Sequence, residues 1–230
     1  MSSENLFLIP LWERPEITRI CLHNLKRLGQ RILCIVSTHE DANLCNELGV
    51  NYLWHENQPL GKKWNYGLFM SQKMDWDYVV TLGSDDIVKE SLFDWYATSD
   101  QDVMIMDKIH FIDVNDGRAN IVTRARIGAG RRISRKAIEK CNYKLWTDGR
   151  NRSLDMDSNG ALNRAGFATV EMNTHPHILG LKSETNIWTF DHVAKHGMYI
   201  DQSKAFDGVL PETKKEILHL LEKKNKLVAH

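Results

Sequence analysis

The sequence predicts an α/β fold with a mostly parallel central sheet and helices on both of its faces. Short apolar runs rich in Val, Ile and Leu alternate with amphipathic segments from the N-terminus to Val88. Such runs are typical of strands buried on both faces. Gly29 and Gly49 follow helical patterns, as glycines at helix C-termini commonly do. Neighbouring parallel strands need a connection of about a dozen residues or more, which returns the chain to the end of the sheet where the first strand began. A helix usually forms this connection, so strands that alternate with helices are expected to be parallel.

The first 88 residues contain four strand patterns separated by three helix patterns. The expected strands cover residues 5–11, 31–37, 50–54 and 78–82, and the expected helices cover residues 15–28, 38–48 and 62–73. Pro15 stands in the first turn of the first helix, where a proline costs no hydrogen bond. These alternating elements predict the parallel part of the sheet.

After Val88 the pattern becomes less regular and predicts an α+β portion. Expected helices cover residues 92–98, 135–141 and 158–166, with strands within residues 102–112 and 169–172 and a turn at Asn115-Asp116-Gly117. Residues 143–157 follow no period and are rich in polar groups. The tail from residue 187 is expected to be helical, and residues 212–226 to form a solvated amphipathic helix.

Composition is that of an ordinary globular protein. Of the 230 residues, 42% are hydrophobic and 26% charged. Thirty basic residues balance thirty acidic ones, so the overall charge provides no general attraction to nucleic acid or to anionic membranes. A charged ligand must therefore be bound locally.

Location and redox state follow from two further features. The longest apolar run is shorter than the roughly 18 residues of a membrane span, and the start Met-Ser-Ser-Glu-Asn lacks a basic segment typical of a secretory signal. We expect a soluble, cytoplasmic protein. Its four cysteines form no Cys-x-x-Cys pair, which predicts reduced thiols rather than disulfides or a zinc site.

Two acidic residues follow the fourth strand pattern directly. Gly83 interrupts the apolar run, and Asp85 and Asp86 come next. In parallel α/β sheets ligands bind at the carboxyl ends of strands, and adjacent carboxylates suit Mg²⁺ or Mn²⁺. The alternative is that residues 84–86 only cap a following helix.

Five motifs in order resemble the GT-A glycosyltransferases, most closely the family 2 type. They are Pro10 with Arg14-Pro15; Gly61-Lys62-Lys63-Trp64-Asn65-Tyr66-Gly67; Ser84-Asp85-Asp86 at the place of the Asp-x-Asp signature; Gly128-Ala129-Gly130 followed by Ile133-Ser134-Arg135; and Leu154-Asp155 followed by a short helix and Gly166. The resemblance covers residues 5–190. Two positions depart from the family pattern: Gly83 replaces the usual first Asp, and Trp64 replaces a frequent Arg.

The resemblance implies a GT-A-like, Rossmann-type fold with an acceptor-side α+β C-terminal portion. It implies one domain over residues 1–230, divided into a nucleotide-sugar-binding half (1–100), an acceptor-binding and catalytic-base half (101–190) and a helical tail (191–230). The implied activity is transfer of a sugar from a nucleoside-diphosphate sugar to an acceptor hydroxyl, with inversion and with Mn²⁺ or Mg²⁺ as cofactor.

The same resemblance assigns roles to individual residues. Asp155 is the expected catalytic base, with Asp157 as the alternative because residues two apart in extended chain share a face. The expected metal ligands are Asp85, Asp86 and His177, with His175 and His192 behind them. The expected nucleotide-sugar site consists of Pro10, Arg14, His39, Asp41, Lys63, Asn65, Ser84 and Asp85. The expected acceptor site consists of Gly128, Ala129, Gly130 and Arg152.

The acceptor and the reaction class stay open at this stage. A glycan, a lipid-linked sugar, a protein or a hydroxylated nucleic-acid base would each serve as acceptor. A cluster of basic residues near the acceptor segment predicts an anionic one: Arg124, Arg126, Arg131, Arg132, Arg135 and Lys136. One alternative function is nucleotidylyl transfer to a sugar phosphate, although residues 11–14 lack the glycine-rich loop that it normally needs. Another is an inactive nucleotide-sugar-binding module, suggested by Gly83.

Overall fold

Two β-sheets organise the chain in a computed structural model, which describes residues 4–123, 127–168, 170–172, 175–186 and 188–228. The strands are β1 (Asn5–Pro10), β2 (Arg31–Val36), β3 (Asn51–Trp54), β4 (Tyr78–Thr81), β5 (Asp86–Val88), β6 (Val103–Met106), β7 (Lys108–Asp113), β8 (Ala119–Thr123), β9 (Arg131–Ser134), β10 (Val170–Met172), β11 (Ile178–Lys182) and β12 (Gly197–Ile200).

The helices alternate with the strands in the N-terminal half, as predicted. They are α1 (Pro15–Arg27), α2 (His39–Leu48), α3 (Leu60–Ser71), α4 (Ser91–Ala97), α5 (Arg135–Lys140), α6 (Leu154–Arg164), α7 (Phe190–Ala194), α8 (Gln202–Ala205) and α9 (Pro211–Val228). Within the described ranges, no helix combines the length and the apolar character needed to cross a membrane.

The larger sheet has the strand order β10-β6-β9-β4-β1-β2-β3. Its pairs are parallel except those of β9, which runs antiparallel to both β4 and β6. The smaller sheet has the order β12-β8-β7-β11-β5, in which only the β11 and β7 pair is parallel. The prediction of a mostly parallel α/β sheet with an α+β C-terminal portion is confirmed.

Alternate residues of β1 face two separate hydrophobic clusters. Phe7 and Ile9 pack with α1 and α2 on one side, whereas Leu6 and Leu8 pack with α3 on the other. This is the period of two that a strand imposes on its side chains. Helices therefore cover both faces of the sheet, and the strand ends are held rigidly.

The apolar run of residues 78–88 is not one strand. β4 ends at Thr81, the chain turns, and β5 begins at Asp86 in the other sheet. The turn is closed by a hydrogen bond from the Asp86 amide to the Gly83 carbonyl, 3.2 Å long. The fourth strand was expected to stop before Gly83, and it does, but β5 was not predicted because the local pattern does not reveal that residues 86–88 join another sheet.

The helical tail was also predicted incorrectly in part. Residues 197–200 form β12, which pairs with β8 at the edge of the smaller sheet. α9 is amphipathic as expected, but its apolar face is not solvated. Ile217 is fully buried, and Leu220 and Leu221 are 5% exposed.

The polar contacts of α9 also attach it to α1. Glu216 accepts two hydrogen bonds from Arg27, at 2.7 and 2.9 Å, and lies 3.0 Å from His23 Nδ1. The tail is therefore part of the packed structure.

We expect Ile217→Ala to lower the free energy of unfolding by about 2–5 kcal/mol, because a fully buried side chain leaves a cavity. Glu216→Gln should cost less than about 1 kcal/mol, since partly exposed ion pairs contribute little. Urea denaturation measures both. Equal effects of the two substitutions would contradict the packing of α9 on α1.

Candidate functional site

A pocket of about 420 Å³ is lined by residues from both sheets and lies where β4 ends. Its wall includes Thr81 to Gly83, Asp85 and Asp86 from the turn between the sheets, together with side chains of β7, β11, α6 and α7. A pocket at the carboxyl end of a parallel strand is the expected ligand site of such a sheet.

Asp85 is the centre of a buried ion cluster. Its Oδ2 accepts hydrogen bonds from Lys182 Nζ at 2.9 Å and from Asn186 Nδ2 at 2.6 Å. Its Oδ1 lies 3.4 Å from Arg14 Nη1, and Arg14 also donates to Ser84 Oγ at 2.9 Å. Each oxygen of this carboxylate therefore faces at least one cation, and Oδ2 also accepts a hydrogen bond from an amide.

The pKa values of the two neighbouring carboxyl groups are shifted in opposite directions. Burial works to raise the pKa of Asp85, but Lys182 and Arg14 outweigh it and bring the pKa down to about 2. Burial, followed by the charge of Asp85, raises the pKa of Asp86 to about 7. Asp86 Oδ2 also accepts a hydrogen bond from the Gly83 amide at 2.8 Å.

Gly83 leaves room for these carboxyl groups. A Cβ atom at this position would lie 2.8 Å from Asp86 Oδ2 and 2.9 Å from Asp85 Oδ1. The usual acidic residue of the signature would thus bring a third carboxylate against two buried ones. A side chain at residue 83 would therefore crowd Asp85 and Asp86, whereas glycine does not.

The residues around Asp85 do not fit a divalent cation. Oδ2 of Asp85 already accepts two hydrogen bonds, so a cation there would have to displace Lys182 or Asn186, and a cation at Oδ1 would lie close to the Arg14 guanidinium. No group of three or more His, Cys, Asp or Glu side chains in the described ranges is arranged to hold a metal ion. Mn²⁺ or Mg²⁺ binding stays a prediction of the family resemblance, and no chemical step below depends on it.

His177 is held away from the two carboxylates. Its Nδ1 lies 2.9 Å from Ser91 Oγ, and its ring stacks on Trp95 at 5.4 Å. Burial lowers its pKa to about 4, and the nearby His175 adds to the effect. In the register of β11 and β5, His177 lies beyond Ile178, which pairs with Val88, whereas Gly180 pairs with Asp86. The structure does not bring His177 together with Asp85 and Asp86.

Asp155 lies in the pocket beside the predicted acceptor segment. A Cβ at Gly128 would lie 1.9 Å from Asp155 Oδ1, so only glycine allows this approach. Thr81 Oγ1 donates to the Gly128 carbonyl at 2.6 Å, which fixes the segment to the end of β4. Asp155 itself is exposed to solvent in the first turn of α6.

Of the other predicted acceptor residues, Ala129 lines the same pocket. Gly130 adopts a positive φ of 68° and donates to the Thr81 carbonyl, so it shapes the backbone. Arg152 lines the pocket and lies over the ring of Trp188 at 5.8 Å. The structure therefore gathers Gly128, Ala129, Arg152 and Asp155 in one place.

Asp157 faces elsewhere, which corrects the extended-chain argument. Both acidic residues lie in α6, where positions two apart point about 200° apart around the helix axis. Asp157 accepts hydrogen bonds from the Thr147 amide at 2.6 Å and from Thr147 Oγ1 at 3.1 Å. It holds the preceding loop and does not line the pocket.

Two residues of the predicted nucleotide-sugar site are structural. Lys63 is fully buried, and its Nζ donates to the Leu11 carbonyl at 2.6 Å. Burial lowers the pKa of Lys63 to about 8. Asn65 donates to the Trp146 carbonyl at 2.6 Å and accepts from its amide at 3.1 Å. Neither side chain is available to a ligand in this arrangement.

The remaining donor-side residues lie at the ends of β1 and β2. Asp41 is fully buried, and its carboxylate accepts a hydrogen bond of 2.8 Å from Thr38, the N-cap residue of α2. Pro10 is half-buried, and His39 is exposed, with its ring 5.0 Å from Trp54. Only the last two offer surface to a nucleotide base.

The basic cluster near the acceptor segment is mostly internal. Arg131 and Arg132 are 1% and 3% exposed. Arg135 donates to the Trp76 and Met74 carbonyls and stacks on the Trp76 ring at 4.0 Å. Lys136 is bound to Asp102 at the surface, and residues 124 and 126 lie outside the described ranges. The described members of this cluster are therefore engaged within the protein and do not support the prediction of an anionic acceptor.

Sequence reasoning missed three residues of the pocket region: Lys182, Asn186 and Trp188. Lys182 ends an apolar strand and is followed by a Ser183-x-x-Asn186 turn, in which Asn186 Oδ1 accepts from the Ser183 amide at 2.7 Å. A basic residue at a strand end, followed by a turn motif, was the available indication. Trp188 is 41% exposed and stacks on His192 at 4.1 Å.

No protein family model and no curated protein matches the sequence. Solved structures match it by shape. TarS of S. aureus, a GT-A-like glycosyltransferase, matches with a TM-score of 0.55 and 10% identity over 77% of this chain and 60% of TarS 1-349. A second TarS structure gives a TM-score of 0.58 and 12% identity over 78% of this chain and 37% of that one. The chain thus spans less than two thirds of these neighbours.

Two further neighbours match over nearly their whole length. The inositol-1-phosphate CTP transferase from T. maritima has a TM-score of 0.53 and 14% identity, over 91% of this chain and 99% of that one. The 4-diphosphocytidyl-2C-methyl-D-erythritol synthase from Anaerococcus prevotii has a TM-score of 0.53 and 12% identity, over 85% and 97%. At these identities the likeness shows the fold alone. The expected GT-A-like fold is confirmed, and it is shared with nucleotidyltransferases.

Asp86→Asn tests the pairing of two buried carboxyl groups. The pKa of Asp86 is raised from an ordinary 3.8 to about 7, so the folded state holds this proton more tightly than the unfolded chain. The stabilisation is fully present below the ordinary pKa and is lost as pH rises through the raised one. Asp85, whose pKa is about 2, stays ionised in this range.

We therefore expect the free energy of unfolding of the unaltered protein to fall relative to that of Asp86→Asn as pH rises from about 4 to 7, because the variant lacks this titrating group. Urea denaturation across this range measures it, with the exposed Asp100→Asn as a matched control. Identical slopes for Asp86→Asn and the unaltered protein would contradict the raised pKa.

Proposed function

We propose that the chain is a glycosyltransferase that moves a hexosyl or pentosyl group from a nucleoside-diphosphate sugar to an acceptor hydroxyl, with inversion at the sugar carbon. One observation carries the proposal: Asp155 packs against Gly128 in the pocket that Asp85 and Lys182 also line. A carboxylate for the acceptor proton and a cation for the leaving group thus share one cavity.

The step balances with these groups. The acceptor oxygen attacks the anomeric carbon and gives its proton to Asp155. The bond between that carbon and the phosphate oxygen breaks, and its electron pair leaves with the nucleoside diphosphate. Positive side chains near the departing phosphate stabilise the charge that develops there. The acceptor is a glycan, a lipid-linked sugar, a protein or a hydroxylated nucleic-acid base.

Donor binding is proposed at the ends of β1 and β2. Pro10 and His39 have surface available for the base. Arg14 follows β1, is bonded to Ser84 and reaches Asp85. We propose that the diphosphate binds beside this guanidinium, with the base towards Pro10 and His39.

A second candidate is nucleotidylyl transfer to a sugar phosphate. Its support is the near-complete length match to two nucleotidyltransferases, including one named for its use of CTP. Against it, residues 11–14 contain no glycine, whereas triphosphate binding after a first strand typically uses the amides of a glycine-rich loop. We therefore prefer sugar transfer.

The products separate the two reactions. Incubation with UDP-, GDP- and CDP-sugars should release a nucleoside diphosphate, by hydrolysis or by transfer to an acceptor panel. Incubation with CTP and sugar 1-phosphates should release no pyrophosphate. Pyrophosphate release would establish the second candidate. Donor binding without any turnover would leave only a nucleotide-sugar-binding module.

We expect Asp155→Asn to lower the rate of transfer by about a hundred- to ten-thousand-fold, as loss of a general base does, while donor affinity stays unchanged. Asp157→Asn is the matched control and should keep most of the activity, since Asp157 binds Thr147 instead. Gly128→Ala should reduce turnover with the carboxylate still present, because the added Cβ displaces Asp155.

Steady-state kinetics and donor titration measure these effects separately. Normal transfer by Asp155→Asn would reject the base-assisted inverting mechanism. Loss of transfer in Asp157→Asn alone would move the base to that residue.

A further inference from the structure

The contacts of Asp85 bear on how the leaving diphosphate is held. We propose that the Lys182 ammonium, assisted by the Arg14 guanidinium, occupies the place of a divalent cation, so that the nucleoside diphosphate binds directly to these side chains and transfer needs no metal. The inference rests on the proposed function, because it concerns the leaving group of that reaction.

Lys182 is positioned by the sheet. It is the last residue of β11, which pairs with β7 on one side and with β5 on the other. Its side chain is 12% exposed and lines the pocket. Its Nζ lies 2.9 Å from Asp85 Oδ2 and 4.9 Å from the centroid of the Phe111 ring. The positive charge is therefore fixed at the pocket wall.

The cationic and N–H partners of Asp85 oppose binding of a metal at its oxygens. A Mg²⁺ ion bound about 2.1 Å from Oδ2 would lie within about 5 Å of the Lys182 ammonium, given the 2.9 Å contact. Asn186 points its amide N–H at the same oxygen, and an N–H donor cannot be a metal ligand. The other oxygen faces Arg14. Asp85 thus acts as the counter-ion that holds two cations.

The first acidic position of the usual signature, which Gly83 occupies, leads to the same conclusion. Gly83 supplies no carboxylate, and its amide donates to Asp86 Oδ2. The two acidic side chains at the turn, Asp85 and Asp86, already have partners within the protein: Asp85 is neutralised by basic residues, and Asp86 accepts from a backbone amide. The basic residues beside them suit the binding of an anion.

An ammonium can perform the charge stabilisation required. It has three N–H donors, of which one is used by Asp85, so the others can reach phosphate oxygens. As the sugar carbon separates from its phosphate, negative charge grows on the diphosphate, and a fixed cation stabilises that charge. Arg14 adds a planar fork suited to phosphate oxygens. Asp85 and Asn186 are positioning residues, because they act through Lys182.

The test measures nucleotide binding apart from activity. The metal-stripped full-length chain is titrated by calorimetry with UDP, GDP and CDP, first with EDTA and then with Mn²⁺. We expect one diphosphate to bind equally well in both conditions, and donor turnover to continue in EDTA. Lys182→Met should weaken that binding about 10- to 100-fold, the loss of one or two contacts to a charged group. Lys182→Arg should retain most of the affinity.

Two controls keep the result interpretable. Lys204→Met removes an exposed lysine of α8 and should leave binding unchanged. Lys182→Met leaves Asp85 buried beside Arg14 and Asn186 only, which can destabilise the fold. The double variant Lys182→Met/Asp85→Asn removes both charges of the pair, and it should fold by circular dichroism yet bind the diphosphate as weakly as the single variant.

Three results would overturn the inference. Diphosphate binding that appears only with Mn²⁺, or turnover that EDTA abolishes, would reject it and leave the proposed glycosyltransferase function standing. Unchanged affinity in a folded Lys182→Met or double variant would reject the role of Lys182. Failure of every diphosphate to bind with or without metal would reject both the inference and the proposed function.

Discussion

The buried ion cluster at Asp85 is the interaction on which the two-sheet arrangement and the pocket both depend. Arg14 lies in the segment after β1 of the larger sheet. Lys182 ends β11 of the smaller sheet, and Asn186 follows that strand. Asp85 lies on the turn between the sheets, and its own carbonyl accepts from the Leu181 amide at 2.8 Å. Removing one partner of a buried ion pair typically costs about 3–5 kcal/mol, so the charges that shape the site also hold the sheets in register.

A second constraint positions the Asp155 side of the pocket through polar side chains that bond to a neighbouring loop. Asn65 on α3 binds the backbone of Trp146, and Asp157 on α6 binds the backbone of Thr147. Together they fix the irregular segment that precedes Asp155. In the proposed reaction that carboxyl group reaches an acceptor hydroxyl within hydrogen-bond distance, and these polar residues contribute by fixing where α6 begins.

Local sequence patterns predicted most of the architecture but only part of the site. The alternation of strand and helix to Val88 follows from periodicity, and the order of motifs singled out Gly128 and Asp155, but their contact was not predicted. The contacts of Lys63 and Asn65 could not be predicted, because a buried polar residue bonded to the backbone has the same local sequence as one that binds a ligand. Lys182 was missed because it lies 97 positions from Asp85, and no local pattern reports a pairing at that separation. The strand formed by residues 86–88 in the smaller sheet was missed for the same reason.

The fold alone does not separate sugar transfer from nucleotidylyl transfer, since both need a phosphate group neutralised at the end of the same strands. The reactions differ in the bond that breaks, at the sugar carbon in one and at the α-phosphorus in the other. In the second case the protein must surround a triphosphate, which a glycine-rich loop does through its amides. Here the loop after β1 instead contains Glu13 in a left-handed conformation, with φ 47°, and presents the side chain of Arg14 to Ser84 and Asp85. Basic side chains that converge on one turn would neutralise the charge of a phosphate, and Asp155 lines the same pocket. This arrangement suits a reaction that breaks a bond at carbon.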